Sequence, residues 1–234
     1  MSGRVYFVLK FFSSFHFDDY VCKIYVSAHS NFQNPFEATA FGFDDGECKK
    51  MLTAAHVVTN ALNRIYPTNN TVQLFVKFEN HHGLVKSTPI LVDFILNDCN
   101  DVNNYNNPDP FVDSAELVLN RDDIHPISNF FKKTSITQKT AAFGLGFPLG
   151  KSQLNQMQGI VSQPFNKNCT KHSNGGCITS RLMVNHNSYP GCSGGPYIII
   201  DNKEPFVIGS LIGIVTGSTP SINPYNAIQS ANDF

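Results

Sequence analysis

Short β-branched and aromatic runs, cut every few residues by clusters of Asn, Gly, Pro and Asp, set the strongest limit on how this chain folds. Period-two alternation and short β-branched runs recur along most of the chain, with candidate strands at Tyr20 to Ser27, Glu37 to Phe43, Thr71 to Phe78 and Ile90 to Leu96. Alternate side chains of a strand point to opposite faces, so the pattern predicts half-buried strands. Further strands are expected at Lys50 to Leu52, Ser114 to Leu119, Thr140 to Gly144, Leu154 to Val161, Ile178 to Met183, Tyr197 to Ile200 and Val207 to Val215. Helix is expected only around Ala54 to Asn63 and in a short C-terminal piece near Asn226 to Ala231. Many short strands with frequent turn signals argue for an all-β sandwich or barrel. Asn97 to Asn107 reads as a surface loop, and Asn120 to Gln138 as an inter-domain connection.

The 234 residues suffice for one large or two small domains with a real core. A hydrophobic fraction of 41 % with 12 % aromatics excludes a disordered chain. A net charge of −1 and a pI near 6.7 leave no electrostatic footprint for a nucleic-acid partner. No run approaches the ~18–20 apolar residues of a membrane span. The apolar run after Arg4 is broken by Lys10 and lacks a small-residue cleavage site, so it reads as a strand and not an export signal. Six cysteines are scattered; Cys169, His172 and Cys177 lie close together but lack a fourth ligand at metal-site spacing. No metal or cofactor is expected, and the cysteines read as reduced thiols.

Chemistry concentrates in three places. Gly191-Cys192-Ser193-Gly194-Gly195-Pro196 surrounds a serine with glycines, which gives a nucleophile access and frees backbone N–H groups to converge on one oxygen. It is equally readable as a Gly-rich turn before an apolar strand. The nucleophile elbow of α/β-hydrolases shares this pattern, but there the histidine follows the serine; here all eight histidines precede Ser193. His56, in Leu52-Thr53-Ala54-Ala55-His56-Val57-Val58, is either a packing histidine or a base held in place. Asp113 shares a strand face with Ala115, Leu117 and Leu119, where a carboxylate is costly unless partnered. Asp93 is the runner-up for that acid, with the polar face of a half-exposed strand as its other reading.

Together the order is His56…Asp113…Ser193. Thr53-Ala54-Ala55-His56, Asp113-Ser114-Ala115-Glu116-Leu117 and the serine motif resemble the three motifs of trypsin-like serine proteases of the chymotrypsin fold, most closely the HtrA/Deg-like branch. Thr39-Ala40-Phe41-Gly42-Phe43, Phe143 to Gly150, Gly159 to Ser162 and Leu211 to Gly217 are similar to supporting strands and loops of that branch.

The resemblance implies two β-barrels, residues 1–125 carrying His56 and Asp113 and residues 126–234 carrying Ser193, with the active site in the cleft between them. It implies a His-Asp-Ser triad, an oxyanion hole from the N–H groups of Gly191 and Ser193, and a polypeptide substrate. Asn187 would lie at the base of the primary pocket and Ile214, Val215 and Thr216 along its wall; with no aspartate there, an uncharged side chain is expected. The chain departs from digestive members in placing Cys192, not aspartate, before the serine, and Val57 in place of a disulfide cysteine after the histidine. These departures imply activity without an N-terminal insertion switch and favour a reducing, intracellular or viral-polyprotein setting. The competing implication is a protease-like module that binds peptides without turnover.

Overall fold

The computed structural model describes residues 16–62, 73–79, 90–96, 113–119, 126–134, 141–163, 181–185, 189–215 and 225–230. Its elements in chain order are β1 (Val21–Ser27), β2 (Phe36–Asp44), β3 (Lys49–Thr53), α1 (Ala55–Leu62), β4 (Leu74–Glu79), β5 (Ile90–Leu96) and β6 (Ala115–Val118). There follow β7 (Phe131–Lys133), β8 (Ala141–Gly146), β9 (Asn155–Gln163), β10 (Arg181–Asn185), β11 (Pro196–Asp201), β12 (Glu204–Val215) and β13 (Tyr225–Ser230).

Two rings of strands result. The first runs β1-β4-β5-β6-β3-β2 and closes through the antiparallel β1–β2 pair. The second runs β12-β11-β8-β9-β10-β13 and closes through β12–β13. Among the described residues, closure leaves no long unpaired edge in either ring. The expected inter-domain connection carries β7, which pairs in parallel with the ends of both β2 and β12 and so joins the rings.

Period-two patterning divides the apolar residues among three clusters. On β1 and β2, Cys22, Ile24, Val26, Ala38 and Ala40 fill the first barrel together with Val57 and Val58 of α1. Ala142, Met157, Cys192, Tyr197, Ile199 and Leu211 fill the second. The opposite strand faces meet between the barrels, where Val21, Phe41, Phe43, Phe131, Phe143, Leu145 and Phe147 pack together. Phe131 stacks on Tyr20 at 4.5 Å between ring centroids. Each such side chain contributes roughly 1.5–3 kcal/mol when fully buried, so this third cluster fixes how the barrels dock.

Two turns show their local chemistry. Asn202 and Lys203 both have positive φ (47° and 70°) and join β11 to β12 as a two-residue hairpin. That twist matches the flanking strands. Between β2 and β3, the Asp45 carboxylate accepts N–H groups from Glu47 and Cys48 at 2.8 Å each and binds Lys50 at 3.0 Å.

One expectation is corrected. The helix read near Asn226 to Ala231 is strand β13, paired with β12 on one side and β10 on the other. Six residues are too few for an isolated helix to be stable, and two flanking ladders supply every backbone partner the segment needs. Asn97 to Asn107, Cys169, His172, Cys177 and the N-terminal run lie outside the described residues.

Candidate active site

His56 is the second residue of α1, at the exit of β3. β3 pairs with β6 so that Thr53 lies opposite Ala115, which brings Asp113, two residues before Ala115, to the start of the helix. The carboxylate then engages His56 twice. Oδ2 lies 2.7 Å from the ring Nδ1, and Oδ1 accepts the His56 backbone N–H at 2.8 Å. The second bond satisfies a helix N-terminal N–H that has no intrahelical acceptor. The His56 side chain keeps 29 % of its surface exposed and Asp113 17 %, so the ring reaches solvent while its partner is more sheltered. Asp93 is not part of this pair; it is exposed on β5 opposite Val118.

The Ser193 segment docks against this arrangement from the second barrel. The Ser193 carbonyl accepts the Thr39 N–H at 3.0 Å, and the Gly191 carbonyl accepts the Thr39 hydroxyl at 2.9 Å. The same hydroxyl oxygen accepts the Phe147 N–H at 3.2 Å, and the Thr39 carbonyl accepts the Thr53 hydroxyl at 2.8 Å. Thr39 therefore ties β2, the end of β3, the segment after β8 and the serine loop in one buried cluster. Gly194 sits so close to Thr53 and Ala54 that a Cβ there would fall 2.7 Å from the Ala54 nitrogen. The neighbour of Ser193 thus touches the residue two before His56.

The loop's N–H groups divide in two. Those of Cys192, Gly194 and Gly195 donate to Tyr189, Leu211 and Cys192 carbonyls at 3.1, 2.8 and 2.9 Å. Among the described residues, those of Gly191 and Ser193 have no internal acceptor. Gly191 has φ +95°, and a Cβ would collide with the Phe147 carbonyl, so only glycine fits there. Cys192 is fully buried in the second barrel, and burial pushes its thiol up, consistent with a packing role.

Of the expected pocket residues, Asn187 and Thr216 lie outside the described residues, while Ile214 and Val215 end strand β12 opposite Asn226 and Tyr225. Among the described residues no cluster of three or more His, Cys, Asp or Glu side chains could hold a metal ion. Thr39, the hub of the serine loop, had no role assigned from sequence. A threonine in a run of alternating apolar residues looks like any strand residue, and only the docking of the barrels reveals its partners.

A scan of known protein families matches none to this chain, and no curated protein matches it. Solved structures do. The Rv3671c protease of M. tuberculosis in its active form is 19 % identical, covering 92 % of this chain and 78 % of its own, with a TM-score of 0.56. The HtrA-type protease AlgW bound to a tripeptide is 16 % identical over 92 % of this chain, which spans 57 % of AlgW, with a TM-score of 0.55. A thermostable serine protease, AL20, is 14 % identical over 91 % of both chains, with a TM-score of 0.57. At such identities the likeness speaks to architecture, and the chain shares the trypsin-like, two-barrel fold of these serine proteases.

Proposed function

We propose that the protein is a serine endopeptidase that cleaves peptide bonds through an acyl-enzyme on Ser193. The observation that carries this reading is the doubly bonded His56–Asp113 pair at the foot of α1, with the Ser193 loop docked against Thr53 and Ala54 just before that helix. An Asp113 carboxylate on Nδ1 keeps the ring proton there and leaves Nε2 as the base. Ser193 Oγ attacks the scissile carbonyl while His56 takes its proton. His56 then returns that proton to the departing amine, and water repeats the sequence to release the acyl group. Asp113 stabilises the imidazolium that forms in each half-reaction.

Negative charge develops on the carbonyl oxygen as the tetrahedral intermediate forms. The Gly191 and Ser193 N–H groups are the donors for it, each worth about 3–4 kcal/mol because the charge appears only in the transition state. The resemblance to trypsin-like proteases assigns Asn187, Ile214, Val215 and Thr216 to the primary pocket, where an uncharged side chain is the expected preference. The chemistry calls on the chain's own side chains, backbone N–H groups and water. The test is a library of quenched-fluorescent peptides with the full chain, Ser193→Ala and His56→Ala. Turnover that both substitutions abolish supports the reading. Turnover that survives Ser193→Ala, or a cleavage profile dominated by Arg, Lys or Glu, contradicts the nucleophile or the pocket respectively.

A further inference from the structure

Both oxyanion donors proposed above belong to peptide units whose carbonyls are held. In a trans peptide the C=O and N–H point in opposite directions, so fixing one aims the other. The Cys192 carbonyl, on the peptide that carries the Ser193 N–H, accepts from Gly195 within the loop itself at 2.9 Å. The Pro190 carbonyl, on the peptide that carries the Gly191 N–H, accepts from Leu149 at 2.7 Å. This second clamp comes from a different segment, the turn Pro148–Gly150.

That turn does not hold itself well. Leu149 sits at φ +53°, a conformation unfavourable for a branched side chain, and 63 % of its surface is exposed, so packing offsets little of that cost. Within the turn, Lys151 donates to Pro148 at 3.0 Å. The anchor from outside is Lys23, whose Nζ donates to the Gly150 carbonyl at 2.9 Å.

Lys23 is on β1 of the other barrel and only 1 % exposed. Its Nζ also pairs with Glu37 at 3.0 Å and lies 4.5 Å over the Tyr25 ring. The Tyr25 hydroxyl donates in turn to Glu79 at 2.6 Å. Burial pulls the ammonium's pKa down, but hydrogen bonds and charge from Tyr25 and Glu37 outweigh it, so the group stays protonated. A buried ammonium is a poor way to stabilise a barrel, for which an apolar residue would serve as well. Lys23 faces Thr39 across the β1–β2 pair, and Thr39 holds the Gly191 carbonyl. Two adjacent positions of the first barrel thus bear on both peptide units flanking Gly191.

We propose that Lys23 is a positioning residue for the oxyanion hole, holding the turn from which Leu149 aims the Gly191 N–H. The proposal rests on the endopeptidase reading and assigns that site a support in the opposite barrel. The experiment compares the full chain with Lys23→Met, Lys23→Arg, Gly150→Ala and the Lys23→Met/Gly150→Ala double variant, each normalised to titrated active sites. Gly150 is exposed at φ +74°, and its added methyl would fall 3.1 Å from Glu37 Oε2, the atom that pairs with Lys23, so this variant disturbs the turn and its anchor while leaving the Lys23 side chain itself in place.

Lys23→Met and Gly150→Ala are expected to lower kcat at least about tenfold with KM little changed. Affinity for a peptide aldehyde, whose adduct places an oxyanion in the hole, should fall by the same factor. Affinity for a matching peptide whose scissile carbonyl is reduced to a methylene, which places no oxygen in the hole, should hold. Lys23→Arg should recover part of the loss, and the double variant should lose less than the product of the singles. If Lys23→Met does not fold, Gly150→Ala carries the same test. Unchanged kcat in a folded variant, or a loss of kcat with aldehyde affinity intact, overturns the proposal while leaving the endopeptidase reading in place. A parent chain without Ser193-dependent turnover overturns both.

Discussion

Asp113 grips His56 at two points, the ring nitrogen at 2.7 Å and the backbone N–H at 2.8 Å, with one oxygen for each. A single acceptor would fix the tautomer but leave the ring's approach to the helix free. Two acceptors lock the imidazole to the α1 backbone, so the side chain and the helix end move as one body. Asp113→Asn keeps the shape but puts an amide where a carboxylate must face Nδ1–H. It should lower kcat/KM about 10⁴-fold with little change in melting temperature. Steady-state kinetics beside a thermal melt checks this; a loss below about tenfold would separate Asp113 from catalysis.

Thr39 carries two bonds on one hydroxyl, donating to Gly191 and accepting from Phe147. Thr39→Val preserves the volume and leaves a part-buried carbonyl and a buried N–H unpaired. The expected cost is about 1–3 kcal/mol in urea unfolding, together with a fall in kcat. A variant as stable as the parent would show that these bonds are replaced.

Gly191→Ala tests the backbone of the serine loop. The residue must hold φ +95° and would drive its methyl into the Phe147 carbonyl. The peptide should rotate away, with a loss of kcat of about 10²–10³-fold and about 1–3 kcal/mol of stability. Kinetics at matched active-site titre decides; near-parental kcat would exclude the Gly191 N–H as a donor.

Acid sensitivity should trace to the β2–β3 turn. Backbone hydrogen bonds, first from Cys48, and then Lys50 hold the Asp45 carboxyl well below the usual carboxylate range. A depressed pKa adds stability above the unfolded-state value and loses it as pH falls below about 4. The gap in urea midpoint between the parent and Asp45→Asn should therefore be open at neutral pH and narrow towards pH 2. A constant gap across that range would mean the carboxylate charge contributes nothing.

The strand framework was legible by alternation only where one face is partly exposed, as in β4 and β6. Strands β1, β2, β8 and β11 are buried on both faces and read instead as short apolar runs between turn signals. Asp113 stood out as a carboxylate on an apolar strand face, and its partner proved to be His56. β13 was misread because Tyr225 to Ser230 lacks a strong alternation; its state is set by the two strands beside it. Thr39 and Leu149 showed only as members of segments similar to supporting strands and loops, and Lys23 only as a strand residue, since what they hold is backbone from distant segments. Such partners are fixed by the docking of the barrels, and residue type carries no trace of them.

The most direct measurement is mass mapping of the chain after exposure to a peptidyl phosphonate that traps activated serines. A single adduct on Ser193, absent in His56→Ala and Ser193→Ala, is the predicted result. A folded parent chain that takes up no label, or takes it elsewhere, would contradict the account.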